Sequence, residues 1–277
     1  MKEIGIFYLL RKKNDRSYFF KFIDSYKEFE AGQDHDLLII LKGFKKNDDI
    51  KWIADSLRDI DFNVIFYPDK GFDISAYFYA SRKVKYEHVM FINSFSSITS
   101  KNWLNKIFKY IDNEVIAVGC SGSFESISSS FYYNKIYANK NILKKAINVF
   151  FYPFVLLFFQ KFPSSHIRTN AFLINRKFFL GYNFKIPHKL KIQAWFFENG
   201  RTSLSKFITR KGKNYGLVNK DGNFYSELKF NESKTFADLN ENNALITDNQ
   251  ISNFSKLNTE QKKIKSLLNW DLNKLYN

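Results

Sequence analysis

The sequence predicts an α/β protein whose core is a doubly wound, mostly parallel sheet, followed by a less regular second half. Three observations carry the prediction. Short, unbroken apolar runs recur through residues 1–119, as strands covered on both faces require. Between them lie stretches with apolar residues three and four apart, the spacing of a helix that buries one stripe. Polar or glycine-containing breaks close most of the runs, as turns demand.

Ile4-Gly-Ile-Phe-Tyr-Leu-Leu10 is the first strand, and Ser17 to Phe29 carries Phe19, Phe22, Ile23, Tyr26 and Phe29 at helical spacing. Leu37-Leu-Ile-Ile-Leu41 is the second strand, stopped by Lys42-Gly43. Asp48 or Asp49 can cap a second helix that runs to Ile60, with Ile50, Ile53, Ala54 and Leu57 on one face. Asn63-Val-Ile-Phe-Tyr67 is the third strand, closed by Pro68-Asp69-Lys70-Gly71, and a third helix fits Ile74 to Lys83. His88-Val-Met-Phe-Ile92, a helix from Trp103 to Ile111, and Val115-Ile-Ala-Val-Gly119 complete the series. This alternation implies right-handed crossovers and a Rossmann-like winding.

Beyond Gly119 the pattern loosens. Ser121 to Ser130 reads as a loop, Asn170-Ala-Phe-Leu-Ile174 as a strand and Ser203 to Ile208 as the start of a helix. Gly216-Leu-Val-Asn219 reads as a short strand, and Thr259 to Leu275 as a closing helix with Ile264, Leu267, Leu268 and Leu275 inward. No repeat or low-complexity linker divides the chain, so 1–277 is expected to form one domain with halves 1–119 and 120–277.

The balance of 43 Lys+Arg against 27 Asp+Glu gives a formal charge of +16. Such a surplus favours anionic partners: nucleotide phosphates, nucleic acid or an acidic membrane face. The basic residues are dispersed in small clusters such as Arg11-Lys12-Lys13, Arg210-Lys211 and Lys262-Lys263. A solvated surface accounts for most of this charge. Nucleic acid would need basic and aromatic residues gathered on one surface, so no nucleic-acid partner is expected, and a basic nucleic-acid-binding protein stands only as the less favoured alternative. The 32 Phe and 16 Tyr accompany abundant Lys, Asn and Ile, an AT-rich coding pattern, and do not by themselves mark binding residues. The single Cys120 excludes an intramolecular disulfide and a cysteine-built metal centre. Met1-Lys2-Glu3 leads directly into a strand without a signal peptide, so the expected location is cytoplasmic.

Val149-Phe-Phe-Tyr-Pro-Phe-Val-Leu-Leu-Phe-Phe159 is the one membrane-like stretch. It falls short of the roughly 20 apolar residues a spanning helix needs, and Pro153 interrupts it. Two readings stand: a buried core segment, or an interfacial anchor whose flanking Lys144, Lys145 and Lys161 meet anionic headgroups at the inner face of a membrane.

In open α/β sheets, ligands bind beyond the carboxyl ends of the strands near the switch in strand order. Those ends are Tyr8 to Arg11, Lys42-Gly43, Pro68 to Ser75 and Asn93 to Ser97. Within them, Gly71 permits close backbone approach, Lys70 can meet a phosphate, and Asp73 can accept from a ribose hydroxyl or a uracil. The competing role for Asp73 is to cap the helix that starts at Ile74. His35, His88, His166 and His188 lack metal-ligand spacing, and Cys120 reads as an inert core thiol. No Walker loop, Gly-X-Gly-X-X-Gly fingerprint or nucleophile elbow is present, which argues against a nucleotide triphosphatase, a dehydrogenase and an α/β-hydrolase.

A set of short motifs follows in order along the chain: Gly71-Phe-Asp-Ile-Ser-Ala-Tyr77, Ile92-Asn-Ser94, Trp103-Leu104, Val118-Gly-Cys-Ser-Gly-Ser123, Arg168-Thr-Asn-Ala-Phe172, Phe197-Glu-Asn-Gly200 with Ser203-Leu204, and Asp248-Asn-Gln250. In this order the chain resembles GT-A glycosyltransferases, and more narrowly bacterial polysaccharide enzymes related to the rhamnan synthesis protein F group. The resemblance implies a GT-A-like fold, a nucleotide-sugar donor in residues 1–119, and a glycan or lipid-linked acceptor in residues 120–277. It implies hexosyl or deoxyhexosyl transfer in cell-envelope polysaccharide synthesis, with Tyr8, Lys70, Gly71, Asp73, Asn93 and Ser94 at the donor. Glu198 becomes the candidate base for the acceptor hydroxyl, against the plainer role of capping or pairing with the following helix. Asp248 is a second carboxylate, near Asn249 and Gln250, and reads as a loop or helix-cap residue rather than a catalytic one.

GT-A enzymes usually hold a divalent cation with Asp-X-Asp at the end of the fourth strand. This sequence places Asn93-Ser94-Phe95 there, which puts Mg²⁺ or Mn²⁺ dependence in doubt, because hard cations prefer charged oxygen ligands. Lys70, Arg168 and Arg201 can meet diphosphate charge instead, with Arg168, Asn170 and Arg201 as acceptor or phosphate contacts. The same departure keeps a noncatalytic relative that binds a glycan or a partner enzyme in view.

Overall fold

The computed structural model describes residues 2–182, 191–239 and 243–276. His188 lies outside them. Through the first half the elements are β1 (Ile4–Arg11), α1 (Arg16–Glu28), β2 (His35–Lys42), α2 (Lys51–Ser56), β3 (Phe62–Tyr67), α3 (Asp73–Arg82), β4 (His88–Ile92), β5 (Ser97–Ile98), α4 (Trp103–Phe108) and β6 (Val115–Gly119). They continue as β7 (Gly122–Ser123), α5 (Ile127–Phe131), α6 (Ile142–Phe158), β8 (His166–Ile167), β9 (Ala171–Asn175), α7 (Arg176–Gly181), α8 (Lys191–Asn199) and α9 (Leu204–Arg210). The described chain closes with β10 (Asn214–Val218), β11 (Phe224–Ser226), β12 (Ile246–Thr247), α10 (Asn249–Ser255) and α11 (Thr259–Trp270).

An eight-stranded sheet in the order β11-β10-β6-β9-β4-β1-β2-β3 organises these elements. β1 runs parallel to both β2 and β4, β2 to β3, and β6 to β10. β9 is inserted antiparallel between β4 and β6, and β11 is antiparallel at the edge. The fold is thus α/β with a mostly parallel sheet, as the apolar runs predict.

Side chains alternate between the two faces of a strand, and the core divides accordingly. Phe7 and Leu9 of β1 join Leu38, Ile40, Tyr77, Phe78, Phe179, Phe197 and Ile208 on one face. Ile4, Ile6, Tyr8 and Leu10 join Ile39, Phe19, Phe22, Ile53, Trp103 and Leu104 on the other. Helices α3, α7, α8 and α9 therefore cover the first face, and α1, α2 and α4 the second. Loss of one large side chain from either layer, such as Phe91→Ala, would cost about 3–5 kcal/mol.

Several details differ from the sequence reading. α2 starts after Ile50 and stops at Ser56, and Ala54 faces solvent. Asp48 does not cap it: its carboxylate takes the Lys45 N–H and the Lys12 ammonium. Ser121 to Ser130 is not a plain loop, since Gly122–Ser123 pairs with His166–Ile167 and Ser126 caps α5. The closing helix breaks at Asp271, where φ is −156°, and resumes as a 3-10 turn over Leu272–Leu275. The largest difference concerns Val149 to Phe159. It belongs to α6, a helix of 17 residues with no buried member, and Pro153 sits inside it. Only Phe159, just past its end, is buried. The core reading of this segment is overturned.

Candidate functional site

The order of strands reverses at β1: β2 and β3 lie on one side, β4 on the other. The carboxyl ends of these strands and the amino end of α3 form one rim. There the backbone turns from β3 into α3 through Gly71, whose φ of +66° lies in the left-handed region that glycine enters without penalty. Asp73 is the first residue of α3, and Phe72, not Asp73, occupies the capping position. The capping role therefore does not apply, and the carboxylate is directed elsewhere.

That direction is Lys42, at the last position of β2. Its side chain is 1% exposed, its Nζ donates to the Gly71 carbonyl at 2.8 Å, and Asp73 Oδ1 lies 3.8 Å away. Burial lowers the Lys42 pKa, opposed by Asp73. Enclosure by protein raises the Asp73 pKa, opposed by Lys42 and then Arg11, although 46% of the Asp73 side chain still reaches solvent. The carboxylate is thus flanked by protein yet open to solvent on one side. Beside it, Asp69 binds Arg11 at 3.1 Å and Lys13 at 2.7 Å. Hydrogen bonding from Lys13 leads in holding its pKa down. Lys70 is exposed on the same rim.

Tyr8 and Ser94, expected at the donor, are buried. Tyr8 stacks on Phe22 at 4.0 Å and donates its hydroxyl to the Ser94 carbonyl at 2.8 Å; Ser94 Oγ donates to the Leu9 carbonyl at 2.6 Å. These two residues lock the end of β4 to β1 and leave no surface for a ligand. Asn93 is partly exposed, and its Oδ1 accepts from Phe95 N at 3.0 Å and Ser96 Oγ at 2.9 Å. Asn93-Ser94-Phe95 thus forms a self-bonded turn without a carboxylate. These residues do not fit a hard divalent cation. Among the described residues, the one cluster with metal-compatible spacing is Glu3, Glu87 and His88, at the opposite end of β4.

A second set of polar groups lies along the same edge of the sheet, where β9 begins and β6 ends. The Asn93 N–H donates to the Asn170 carbonyl at 2.8 Å. Asn170 Oδ1 accepts from Ser121 Oγ at 2.7 Å, and Arg168 Nη1 donates to the same hydroxyl at 3.2 Å. Arg168 pairs with Asp248 at 2.9 Å and lies 3.8 Å above the Phe236 ring. Asp248 also caps α10 by accepting from Ile251 N at 2.9 Å. Asn170 is therefore a buried framework group, and Arg168, although paired with Asp248, also borders the cleft that holds Glu198. Arg201 lies elsewhere: its N–H and Nε donate to the carbonyls of Phe158 and Leu156, closing the end of α6.

Glu198 does not cap the helix that follows; Ser203 does. Its Oε1 accepts from the Thr169 N–H at 2.9 Å, and its side chain lines a cleft of about 440 Å³ with Glu125, His166, Arg168, Trp195 and Lys265. His166 Nδ1 lies 2.6 Å from the Ser164 carbonyl, so in the neutral ring that nitrogen carries the hydrogen and Nε2 the lone pair. Burial lowers the His166 pKa, with Glu198 the main opposing influence. Burial alone would raise the Glu125 carboxyl, but Lys265 at 2.9 Å and Ser130 outweigh it and leave it lowered. The sequence reading missed His166, Glu125 and Lys265 as a group, because 140 positions separate Glu125 from Lys265. Lys42 had a signal, as the lone charge ending an apolar strand.

No family model and no curated protein sequence matches the chain. Solved structures similar in fold include a mannosyltransferase from Pyrobaculum calidifontis in complex with GDP-Man and Mn²⁺, at 10% identity and a TM-score of 0.42 over 66% of this chain and 47% of that one. Glucosyl-3-phosphoglycerate synthase from Mycobacterium tuberculosis, with Mn²⁺, UDP and phosphoglyceric acid, aligns at 12% identity and a TM-score of 0.44 over 76% and 66%. A 4-diphosphocytidyl-2C-methyl-D-erythritol synthase from Anaerococcus prevotii aligns at 12% identity and 0.42 over 71% and 83%. The chain spans about half of the first of these and 66% of the second.

Proposed function

We propose that the protein transfers a sugar, of the hexosyl or deoxyhexosyl class, from a nucleotide-diphosphate donor at the β1–β4 rim to a hydroxyl held in the Glu198 cleft. The observation that carries this reading is the continuity of the two places. Asn93, at the rim, is hydrogen-bonded to Asn170, and Thr169, one residue earlier, to Glu198. A donor and an acceptor bound at the two ends of that link would face one another across a single sheet edge.

In the reaction, Glu198 takes the proton of the acceptor hydroxyl as its oxygen attacks the anomeric carbon. The bond from that carbon to the diphosphate breaks, and the nucleoside diphosphate leaves. Lys70, with Arg11 and Lys13 beside it, meets the phosphate charge, and Asp73 accepts from the nucleoside. Residues 1–119 thus supply the donor side and 120–277 the acceptor side of one domain. The acceptor is a glycan or lipid-linked precursor of the cell envelope, and the protein works in the cytoplasm at the inner membrane face.

A thermal-shift series with UDP, GDP, CDP and dTDP, each with and without Mn²⁺, tests the donor site. A bound nucleotide raises the melting temperature by mass action, and the expected result is stabilisation by one of the four without a requirement for metal. No shift with any of them favours the second reading, a noncatalytic glycan- or partner-binding relative. The specific support for that reading is the self-bonded Asn93 turn, which lacks a carboxylate.

A further inference from the structure

We propose that α6 is an interfacial anchor that lies in the headgroup zone of an anionic lipid bilayer. At 100° per residue, the partly covered residues Asn148, Tyr152, Val155 and Leu156 fall on one narrow stripe, and this stripe faces the protein. Tyr152 meets Phe131 and Tyr132 there, and Asn148 donates to the Lys135 carbonyl. The remaining arc holds Ile142, Leu143, Ala146, Ile147, Val149, Phe150, Phe151, Pro153, Phe154, Leu157 and Phe158, and every one of these residues is exposed. Ile142 is 84%, Phe150 70% and Leu157 66% accessible. An unbroken apolar arc of this width is far from the scattered single apolar residues of an ordinary surface.

The charges around the helix identify what covers it. From Ser126 to Phe197 the sequence holds no Asp or Glu, while Lys135, Lys140, Lys144, Lys145 and Lys161 all lie within this stretch and are exposed. Lys144 falls at one border between the apolar arc and the protein-facing stripe, and Lys145 within that stripe near its other border; both stay exposed. Such a border suits headgroup phosphates when the arc is sunk among acyl chains. Tyr132, Tyr133, Tyr137 and Tyr276 cluster beside the helix, with the amphipathic character that favours the water–lipid boundary. No described helix is long and apolar enough to cross a membrane, so the helix lies in the plane of the surface. Its end is joined to the cleft: Arg201 holds the Leu156 and Phe158 carbonyls, and the Phe196 ring of α8 packs on Phe158 and Phe159. Membrane binding therefore presents the Glu198 cleft to a lipid-linked acceptor; this last step alone rests on the proposed transfer reaction.

The test is flotation of the full chain, without nucleotide, on phosphatidylcholine vesicles with or without phosphatidylglycerol as about a third of the lipid. Binding is expected only with the anionic lipid and should weaken as salt rises. Phe150→Ser, Phe154→Ser and Leu157→Ser together should weaken the partition at least about tenfold. Because these side chains are exposed, the circular dichroism spectrum should not change. A Phe150→Trp variant should show a blue-shifted emission on adding anionic vesicles. Binding that survives the triple substitution overturns the proposal. So does absence of binding, including the case where light scattering finds a dimer that the triple substitution dissociates, which would give the face to a second copy of the chain. Neither result depends on whether nucleotides bind.

Discussion

Oε1 of Glu198 accepts the backbone N–H of Thr169 at 2.9 Å. The bond fixes the carboxylate at the point where β9 enters the sheet, next to the residue whose carbonyl holds Asn93. A carboxylate that uses one oxygen for orientation keeps the other for chemistry. This is the arrangement the general base of the proposed reaction needs, since misplacement by an ångström is costly in rate.

Replacing Glu198 by Gln keeps an oxygen for the Thr169 N–H and removes the base. Turnover is expected to fall by about 10²–10⁴-fold, with little change in donor KM. Steady-state kinetics separates the two, and an unchanged kcat would remove Glu198 from the mechanism.

The Lys42–Asp73 pair should serve binding more than stability. The Asp73 pKa is raised by its enclosure, so its charge is disfavoured in the folded state. Asp73→Asn is therefore expected to change the melting temperature little, since relief of that penalty offsets the lost countercharge to Lys42, and to abolish stabilisation by the nucleotide diphosphate. Parallel thermal melts with and without ligand would show it; a lower melting temperature with intact nucleotide response would reverse the assignment.

Gly71→Ala forces a side chain into the left-handed region at φ +66°. A loss of about 1–2 kcal/mol is expected, together with weaker nucleotide binding, because the turn carries both Lys70 and the start of α3. Urea unfolding and ligand titration measure the two effects separately.

Acid should destabilise the fold through its histidines. Burial lowers the pKa of His35, His88 and His166. Below the ordinary histidine value of about 6.5, the unfolded chain takes up protons that the folded chain refuses. Stability then falls as pH drops from that value toward the folded pKa values. His166→Gln is expected to flatten the slope measured by urea unfolding between neutral and mildly acidic pH, and an unaltered slope would assign it to other groups.

The parallel half of the sheet was legible because strands covered on both faces leave runs such as Leu37–Leu41, which few other structures use. The direction of β9 was not, since Ala171–Asn175 has the same apolar content whichever way it runs. Hydropathy also fails to separate burial by protein from burial by lipid, so Val149 to Phe159 reads first as a core segment although the structure leaves most of it exposed. The charged residues were hardest. Arg168 and Arg201 looked alike as phosphate ligands, yet one is spent on Asp248 and the other on the end of α6. Those choices depend on distances across 80 and 45 positions that no local pattern encodes.

The place where β9 joins the sheet has an evolutionary consequence. β6 ends and β9 begins side by side, with Gly119 opposite Phe172 and the Cys120 N–H bonded to the Ala171 carbonyl. The excursion between them, which includes α5 and α6, therefore leaves and re-enters the sheet through one narrow neck. Closing a longer or shorter loop at such a neck changes the free energy only with the logarithm of its length. The outer part of this excursion, around α6, can lengthen or shrink while the strand register beneath it stays fixed, whereas its two ends, which carry Glu125, His166 and Arg168, are tied to the cleft. A lineage could thus vary the outer face of α6 as long as its last turn still meets Arg201 and Phe196.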